Sequence, residues 1–183
     1  SKTQYTAEEL DSYINYALAL REQAGPQYAN ASTKSKLIGL GTTLKNMEEQ
    51  YGLNAMMILA LAFHESDHGM SEHAQNYNNL FGLYVYDTDP LNKEFESVEA
   101  NILEYINSFI WEKYVPYDAP FANGAVFGSK AIGMNVKYAS DPYWGAKAAG
   151  HYYRADKYLG FKDANNPYVV GLTTTSGLNV RTA

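Results

Sequence analysis

Residues 55–68 are apolar on nearly every side of a helical wheel. A helix that is apolar all round has no face to turn towards water, so other elements have to enclose it. Asn54 before it is a favourable N-cap, and Gly69 after it is a favourable stop signal. The uninterrupted apolar run, residues 55–63, is far shorter than the roughly 18 residues that cross a bilayer. The segment therefore predicts a domain built around one central, buried helix.

Helical periodicity and cap signals predict four further helices around this core. They cover, in chain order, residues 7–25, 33–50, 98–115 and 142–159. Thr6 and Glu9 form a capping box before the first, and Ser97 caps the third. Ser140 and Asp141 precede Pro142, which suits the first position of the last helix. Residues 83–95 predict a small β hairpin, so the expected fold is mainly α with one β element.

Charge and cysteine content exclude several classes of protein. Fourteen Lys and Arg against twenty Asp and Glu give a net charge of −6, without a basic run to bind a nucleic-acid backbone. The absence of cysteine excludes a disulfide framework and thiolate metal sites. Seventeen tyrosines offer flat faces with a hydroxyl group, which suits a ring-shaped polar ligand such as a sugar. We expect a monomer that acts without nucleic acid, membrane or cofactor.

The run His64-Glu65-Ser66-Asp67-His68 matches the H-E-x-x-H pattern of zinc peptidases. On a helix the two histidines would lie one turn apart and share a zinc ion, with the glutamate activating a water. The extended metzincin pattern requires a histidine at position 74, which is Ala74 here. A distant glutamate such as Glu99 or Glu104 would have to serve instead. The competing interpretation of His68 is a cation at the negative end of a helix dipole.

Glu65 also supports a second interpretation. Ile58, Leu61 and Ala62 lie one and two turns before it, so its carboxyl group shares a face with apolar residues. Apolar surroundings favour the protonated form of a carboxyl group, which can then donate a proton to a leaving oxygen. That is the role of the general acid in glycoside hydrolysis. The alternative is a solvated glutamate at a frayed helix end.

Three motifs resemble those of bacterial β-N-acetylglucosaminidases of glycoside hydrolase family 73. They are LAFHESDHGMS at residues 61–71, NLFG at residues 79–82 and YASDP at residues 138–142. The motifs occur in the family's order and span roughly residues 54–159. The resemblance implies a lysozyme-like fold with a β-hairpin lobe flanking the cleft, and hydrolysis of the β-1,4 bond between N-acetylglucosamine and N-acetylmuramic acid in peptidoglycan.

The resemblance also implies roles for individual residues. Glu65 would be the general acid, Asn79 and Phe81 would shape the floor of the cleft, and Tyr138 would face the sugar. Trp144 would be either a sugar platform or a buried residue of the last helix. No metal ion would take part.

The second carboxylate is open at this stage. Many family members carry one on the lobe, and in others the substrate's 2-acetamido group has been proposed as nucleophile. Asp87 matches a recurrent position, although it equally suits a turn before Thr88. We expect Glu65 to be indispensable and no single lobe acid to be so. A lytic transglycosylase and a non-catalytic wall-binding module are the alternatives on the same fold.

The domain organisation is expected to be threefold. Residues 1–160 form the catalytic domain, residues 161–172 a linker, and residues 173–183 the start of a truncated Src-homology-3-like, cell-wall-binding domain. The function implied by the resemblance places the protein outside the cell, as a secreted autolysin or phage lysin at the cell wall.

Overall fold

The computed structural model of the chain describes residues 1–85 and 94–167. Seven α-helices lie in this part: α1 Ala7–Glu22, α2 Ala31–Lys34, α3 Gly41–Tyr51, α4 Ala55–Glu65, α5 Glu72–Tyr77, α6 Val98–Glu104 and α7 Trp144–Tyr158. A π-helix, Tyr105–Trp111, continues α6, and two single-turn 3-10 helices cover Pro26–Tyr28 and Met134–Val136. No helix in the described ranges is both long and apolar enough to cross a membrane.

The central buried helix is confirmed. Eight of the eleven residues of α4 are buried, and α7 and α3 pack against it. Asn54 caps it as expected, because the Asn54 side-chain oxygen accepts a hydrogen bond of 2.9 Å from the amide of Met57. The helix thus carries the core and presents its last residue, Glu65, at the edge of that core.

Other cap signals are also confirmed. The Thr6 hydroxyl accepts from the amide of Glu9, and the Glu9 carboxylate accepts from the amide of Thr6. The Ser97 hydroxyl accepts from the amide of Ala100 at 3.0 Å and starts α6. Local hydrogen bonding at the first turn fixed these helix starts.

Three predicted helix boundaries are wrong. The helix over residues 33–50 is two helices, separated by a turn in which Gly39 has φ +75°. The last helix starts at Trp144 and not at Pro142, because the Asp141 carboxylate accepts from the amide of Tyr143 in a turn before it. The central helix ends at Glu65, since Asp67 and its neighbour both have positive φ. A local turn overrode the helical pattern each time.

The predicted β hairpin over residues 83–95 finds no support. None of the described residues forms a strand, and residues 86–93 of the hairpin lie outside them. Phe95, the last residue of the predicted hairpin, is hydrogen-bonded to the end of α5. The amide of Phe95 donates to the carbonyl of Tyr77 at 2.9 Å, and the Asn78 side chain donates to the Phe95 carbonyl at 3.0 Å.

The first residues of the predicted linker are bonded to the helical body. The Asp163 carboxylate accepts hydrogen bonds from the Thr3 hydroxyl, the Gln4 amide and the Tyr152 hydroxyl. The Asp163 amide in turn donates to the Asp156 carboxylate at 3.1 Å. The chain up to this point is therefore held by the N-terminal segment and by α7.

Candidate active site

Glu65 lines a cavity of about 320 Å³. The other side chains and backbone around it come from the turn after α5, from α6 with its π-helical continuation, and from the segment before α7. They are Phe81, Gly82, Leu83, Tyr84, Glu104, Ser108, Phe109, Lys113 and Tyr138. The structure thus brings together Glu65, Phe81 and Tyr138, three residues that the sequence motifs place at the site.

The Glu65 carboxylate is held by the first residue of α7. The indole Nε1–H of Trp144 donates a hydrogen bond of 2.8 Å to Oε1 of Glu65. This bond joins the C-terminus of α4 to the N-terminus of α7, two helices that pack along each other. The short distance of this bond fixes the orientation of the carboxyl group. Its second oxygen has no hydrogen-bond partner among the described residues.

Stacked aromatic rings form the wall behind Glu65. Trp144 stacks on Tyr138 with ring centroids 4.1 Å apart, and Phe81 stacks on Tyr105 at 3.7 Å. The hydroxyl groups of Tyr105 and Tyr138 join the two stacks by a hydrogen bond of 2.8 Å. Burial raises the pKa of both tyrosines well above the usual value, so both stay protonated at neutral pH. The wall is therefore uncharged.

Trp144 is not a sugar platform, because only 3% of it is exposed and its ring is covered by Tyr138. It is the buried residue of the last helix that the sequence offered as the alternative. Its contact with Glu65 was not predictable from sequence spacing, because that contact joins residues 79 positions apart.

Asn79 lies behind the cavity and does not line it. It is fully buried, and its side chain bonds both the amide and the carbonyl of Leu83, at 3.0 and 2.9 Å. Asn101 donates to the same Asn79 oxygen at 3.2 Å. Asn79 therefore shapes the turn that carries Phe81, while its own amide is occupied and does not face a ligand.

The cavity also holds residues that the motifs did not indicate. Glu104 and Ser108 lie one turn apart on the same face of α6 and its continuation, and the Tyr84 hydroxyl donates to Glu104. The Lys113 ammonium lies 4.3 Å from the centre of the Phe109 ring. Helical spacing could have paired Glu104 with Ser108. The proximity of either to Glu65 depends on the tertiary packing. Asp87, the predicted second acid, lies outside the described residues.

The zinc interpretation of His64 and His68 is wrong in its geometry. The helix ends at Glu65, and His68 has φ +63°, so the two histidines are not one helical turn apart. Within residues 1–85 and 94–167 no three His, Cys, Asp or Glu side chains form a group that could hold a metal ion. The pattern is a coincidence of sequence, because its spacing is meaningful only on a continuous helix.

The alternative view of His68 as a helix-terminal cation is also wrong. Burial, together with the charge of Arg21, lowers the pKa of His68 to about 4. The imidazole is therefore neutral at pH 7. Asp67, beside it, is an anion: although partial burial opposes this, hydrogen bonds from Tyr28 and Arg21 hold the pKa of Asp67 below its usual value.

The family model for glucosaminidases, described as mannosyl-glycoprotein endo-beta-N-acetylglucosaminidase, matches residues 41–157. Two curated relatives, both named putative endo-beta-N-acetylglucosaminidase, come from Streptococcus pneumoniae strains TIGR4 and R6. Each is 39% identical over 166 residues, which is 88% of this chain. The chain spans 22% and 20% of the lengths of these relatives, about a fifth.

A solved structure shares the fold. It is that of a catalytic mutant of S. aureus autolysin E in complex with the disaccharide NAG-NAM. The superposition has a TM-score of 0.52 with 18% sequence identity, and covers 82% of this chain and 68% of that one. The mainly helical, lysozyme-like architecture expected from the sequence motifs is therefore confirmed.

Proposed function

The chain belongs to the glucosaminidase family, and from that premise we propose that it hydrolyses the β-1,4 bond between N-acetylglucosamine and N-acetylmuramic acid in peptidoglycan, with Glu65 as general acid. The observation that carries the proposal is the placement of Glu65 at the end of the buried helix, in an aromatic-walled cavity, with one carboxyl oxygen bonded by Trp144. The relatives' names and the disaccharide bound to autolysin E support the choice of substrate.

Because Trp144 bonds only one of the two Glu65 oxygens, the two oxygens have different roles in the proposed reaction. Oε1 accepts from the indole, which fixes the plane of the carboxyl group. The other oxygen carries the proton and donates it to the glycosidic oxygen as the bond from that oxygen to C1 breaks. Water then supplies the hydroxyl group at C1, and its remaining proton restores the acid form. The product is a new reducing end on N-acetylglucosamine.

The positive charge that develops at C1 needs a partner. Glu104 lines the same cavity as Glu65 and offers a carboxylate for this role. Asp87 remains a candidate as well, and the 2-acetamido group of the substrate is a third. We keep the hypothesis that Glu65 is indispensable and that no single acid of the lobe is.

The protonated tyrosines suit a sugar-binding wall. Tyr138 lines the cavity, and its hydroxyl group is held by Tyr105, so its ring keeps one orientation. An uncharged aromatic wall packs against the apolar face of a sugar ring without attracting ions. Lys113 and Ser108 add hydrogen-bond donors for the polar groups of the sugar.

A substrate in peptidoglycan implies action outside the cell. We propose a secreted cell-wall enzyme that binds glycan strands and works as a monomer, in which residues 173–183 start a wall-binding domain. The residues of that segment lie outside the described part of the chain.

The chemistry of the products tests this proposal. Purified peptidoglycan is digested in the presence of EDTA, the products are reduced with borohydride, and their new ends are identified by mass spectrometry. We expect reduced N-acetylglucosamine ends. Anhydro-muramic ends would show a lytic transglycosylase instead. Wall binding without any new ends would show a non-catalytic module. Activity that appears only after addition of zinc would contradict the proposed mechanism altogether.

A further inference from the structure

A second cavity, of about 530 Å³, lies between α1 and the C-terminal half of α7. It shares no lining residue with the Glu65 cavity. Cations and tyrosines dominate its polar lining: Arg21, Arg154 and Lys157, with Tyr16 and Tyr158 at its side. We call it the basic pocket. It contrasts with a chain whose net charge is −6.

Two of the three cations have no acidic partner in the described part of the chain. The third, Arg21, forms an ion pair of 2.9 Å with Asp67, whose negative charge compensates its own. Arg154 and Lys157 form no ion pair with any acidic residue in the described ranges. Both are exposed and stand about one turn apart on α7. They therefore give the pocket a positive excess at its mouth, where an oxyanion would form charge-assisted hydrogen bonds.

Two neutral histidines, His68 and His151, line the inner wall of the basic pocket. Burial, followed by the charge of Arg154, lowers the pKa of His151 to about 3, and His68 is neutral for a similar reason. The Nε of Arg21 is buried and lacks a hydrogen-bond partner among the described residues, whereas the Nδ1 of His68 lies 3.5 Å from a carboxylate oxygen of Asp67.

The pocket also presents an aromatic surface. Tyr16 and Tyr158 stack with centroids 4.1 Å apart and an interplanar angle of 18°. They remain 42% and 44% exposed. Flat aromatic surfaces of this kind, which combine an apolar face with a hydroxyl group, suit the apolar face of a sugar ring. The basic pocket therefore combines features for an oxyanion with features for a ring.

We propose that the basic pocket binds a sugar that carries an oxyanion, either a carboxylate or a phosphate. The oxyanion pairs with Arg154 and Lys157, and the ring lies against Tyr16 and Tyr158. The helix α7 runs from the Glu65 site to this pocket: Trp144 at its start bonds Glu65, and Tyr158 at its end lines the basic pocket. The two residues are about 21 Å apart along the helix axis. The binding is argued from the pocket's own residues and does not depend on the reaction at Glu65.

Two anionic sugars and one neutral sugar test the ligand chemistry. The full chain, labelled with ¹⁵N, is titrated with N-acetylmuramic acid, with N-acetylglucosamine 1-phosphate and with N-acetylglucosamine. We expect amide shifts around Arg154 and Tyr158 with an anionic sugar and none there with the neutral one. The tighter anionic ligand identifies the source, a muramic residue of a glycan strand or a sugar phosphate of an anionic polymer. Equal binding of the neutral sugar, or no shift with either anionic sugar, would overturn the proposal.

A charge-matched pair of variants tests the residues. Arg154→Gln with Lys157→Gln is expected to weaken binding of the anionic sugar at least tenfold. Lys2→Gln with Lys147→Gln removes the same charge from exposed sites outside the pocket and is expected to leave binding unchanged. Peptidoglycan hydrolysis by the first variant, measured in parallel, separates this site from Glu65. Equal affinity in the two variants would contradict the assignment.

Discussion

At the scale of single residues, the structure explains why one glutamate among many carries the proposed chemistry. Glu65 is half-buried at the end of an apolar helix and is oriented by the indole of Trp144. Its position beside Ile58 and Leu61 was predictable from helical spacing. The partner on α7 was not, because sequence spacing says nothing about contacts between distant helices.

Replacing Trp144 by Phe tests the orienting bond. Phe keeps a ring against Tyr138 but removes the N–H donor to Glu65. A hydrogen bond to a neutral carboxyl group contributes about 0.5–1.5 kcal/mol, so we expect kcat to fall about two- to tenfold with little change in KM. Steady-state kinetics on a soluble muropeptide substrate measures both.

Trp111 provides the matched control for that variant. Its Nε1 is buried and has no hydrogen-bond partner among the described residues, so Trp111→Phe removes no bond of this kind. It should therefore keep kcat. An equal loss in both variants would show that the indole of Trp144 acts through packing alone.

The buried histidines predict a pH dependence of stability. The pKa values of His68 and His151, about 4 and about 3, lie below the usual 6.5. The unfolded chain therefore binds more protons as the pH falls below about 6.5, and the free energy of unfolding decreases. Each histidine contributes less than about 1.4 kcal/mol per pH unit, because both retain some solvent contact.

Urea unfolding at pH 7.0, 6.0 and 5.0 measures this loss. The variant His151→Phe removes one of the two groups and keeps a ring against Phe63, so its stability should depend less steeply on pH. A wild-type stability that stays constant over this range would disprove the burial of neutral histidines.

At the scale of elements, helix starts were predictable and helix interruptions were not. Thr6, Asn54 and Ser97 cap helices as their side chains suggest, since capping depends on residues within one turn. The turn before α3 and the π-helix Tyr105–Trp111 interrupt segments whose periodicity predicts a continuous helix. π-Helical turns often occur at functional sites, and this one places Ser108 in the Glu65 cavity.

Glu48 connects three elements, and its replacement tests how much they depend on it. It is 1% exposed, and its carboxylate accepts from the amides of Thr3 and Ala55, each at 2.8 Å, and from the ammonium of Lys45. In Glu48→Gln an amide group faces these donors without a charge. We expect a loss of about 3 kcal/mol in the free energy of unfolding, measured by urea denaturation.

The adjacent Glu49 is the control. It is exposed and pairs only with Lys2 at the surface, so Glu49→Gln should leave stability nearly unchanged. If the two variants were equally stable, Glu48 would not be the junction between α3, α4 and the N-terminal segment.

At the scale of the whole molecule, the helical class and the single buried core followed from the apolar helix and its caps. The end of the catalytic domain, which we predicted at residue 160, is harder to predict from sequence. Asp163 binds the N-terminal segment and Tyr152, which are far from it in sequence. A break in the helical periodicity of the sequence marks the end of α7. This break does not show whether the residues after it form hydrogen bonds with the helical domain.

Two shortened chains test this boundary. A chain that ends at residue 167 keeps the bonds of Asp163 and serves as the reference. A chain that ends at residue 160 loses at least three hydrogen bonds and should be less stable by about 3 kcal/mol. Equal urea midpoints for the two would place the boundary at 160, as the sequence predicted.

The most direct test of the central claim is the activity of Glu65→Gln on purified peptidoglycan, with Glu49→Gln as control. Gln keeps the size of the side chain and can accept the Trp144 bond, but it cannot donate the acid proton. General acid catalysis contributes about a hundredfold to ten-thousandfold in rate, so we predict a loss of that size with an unchanged far-UV spectrum. If Glu65→Gln retained most of the release of N-acetylglucosamine ends, Glu65 would not be the general acid and the proposed mechanism would be wrong.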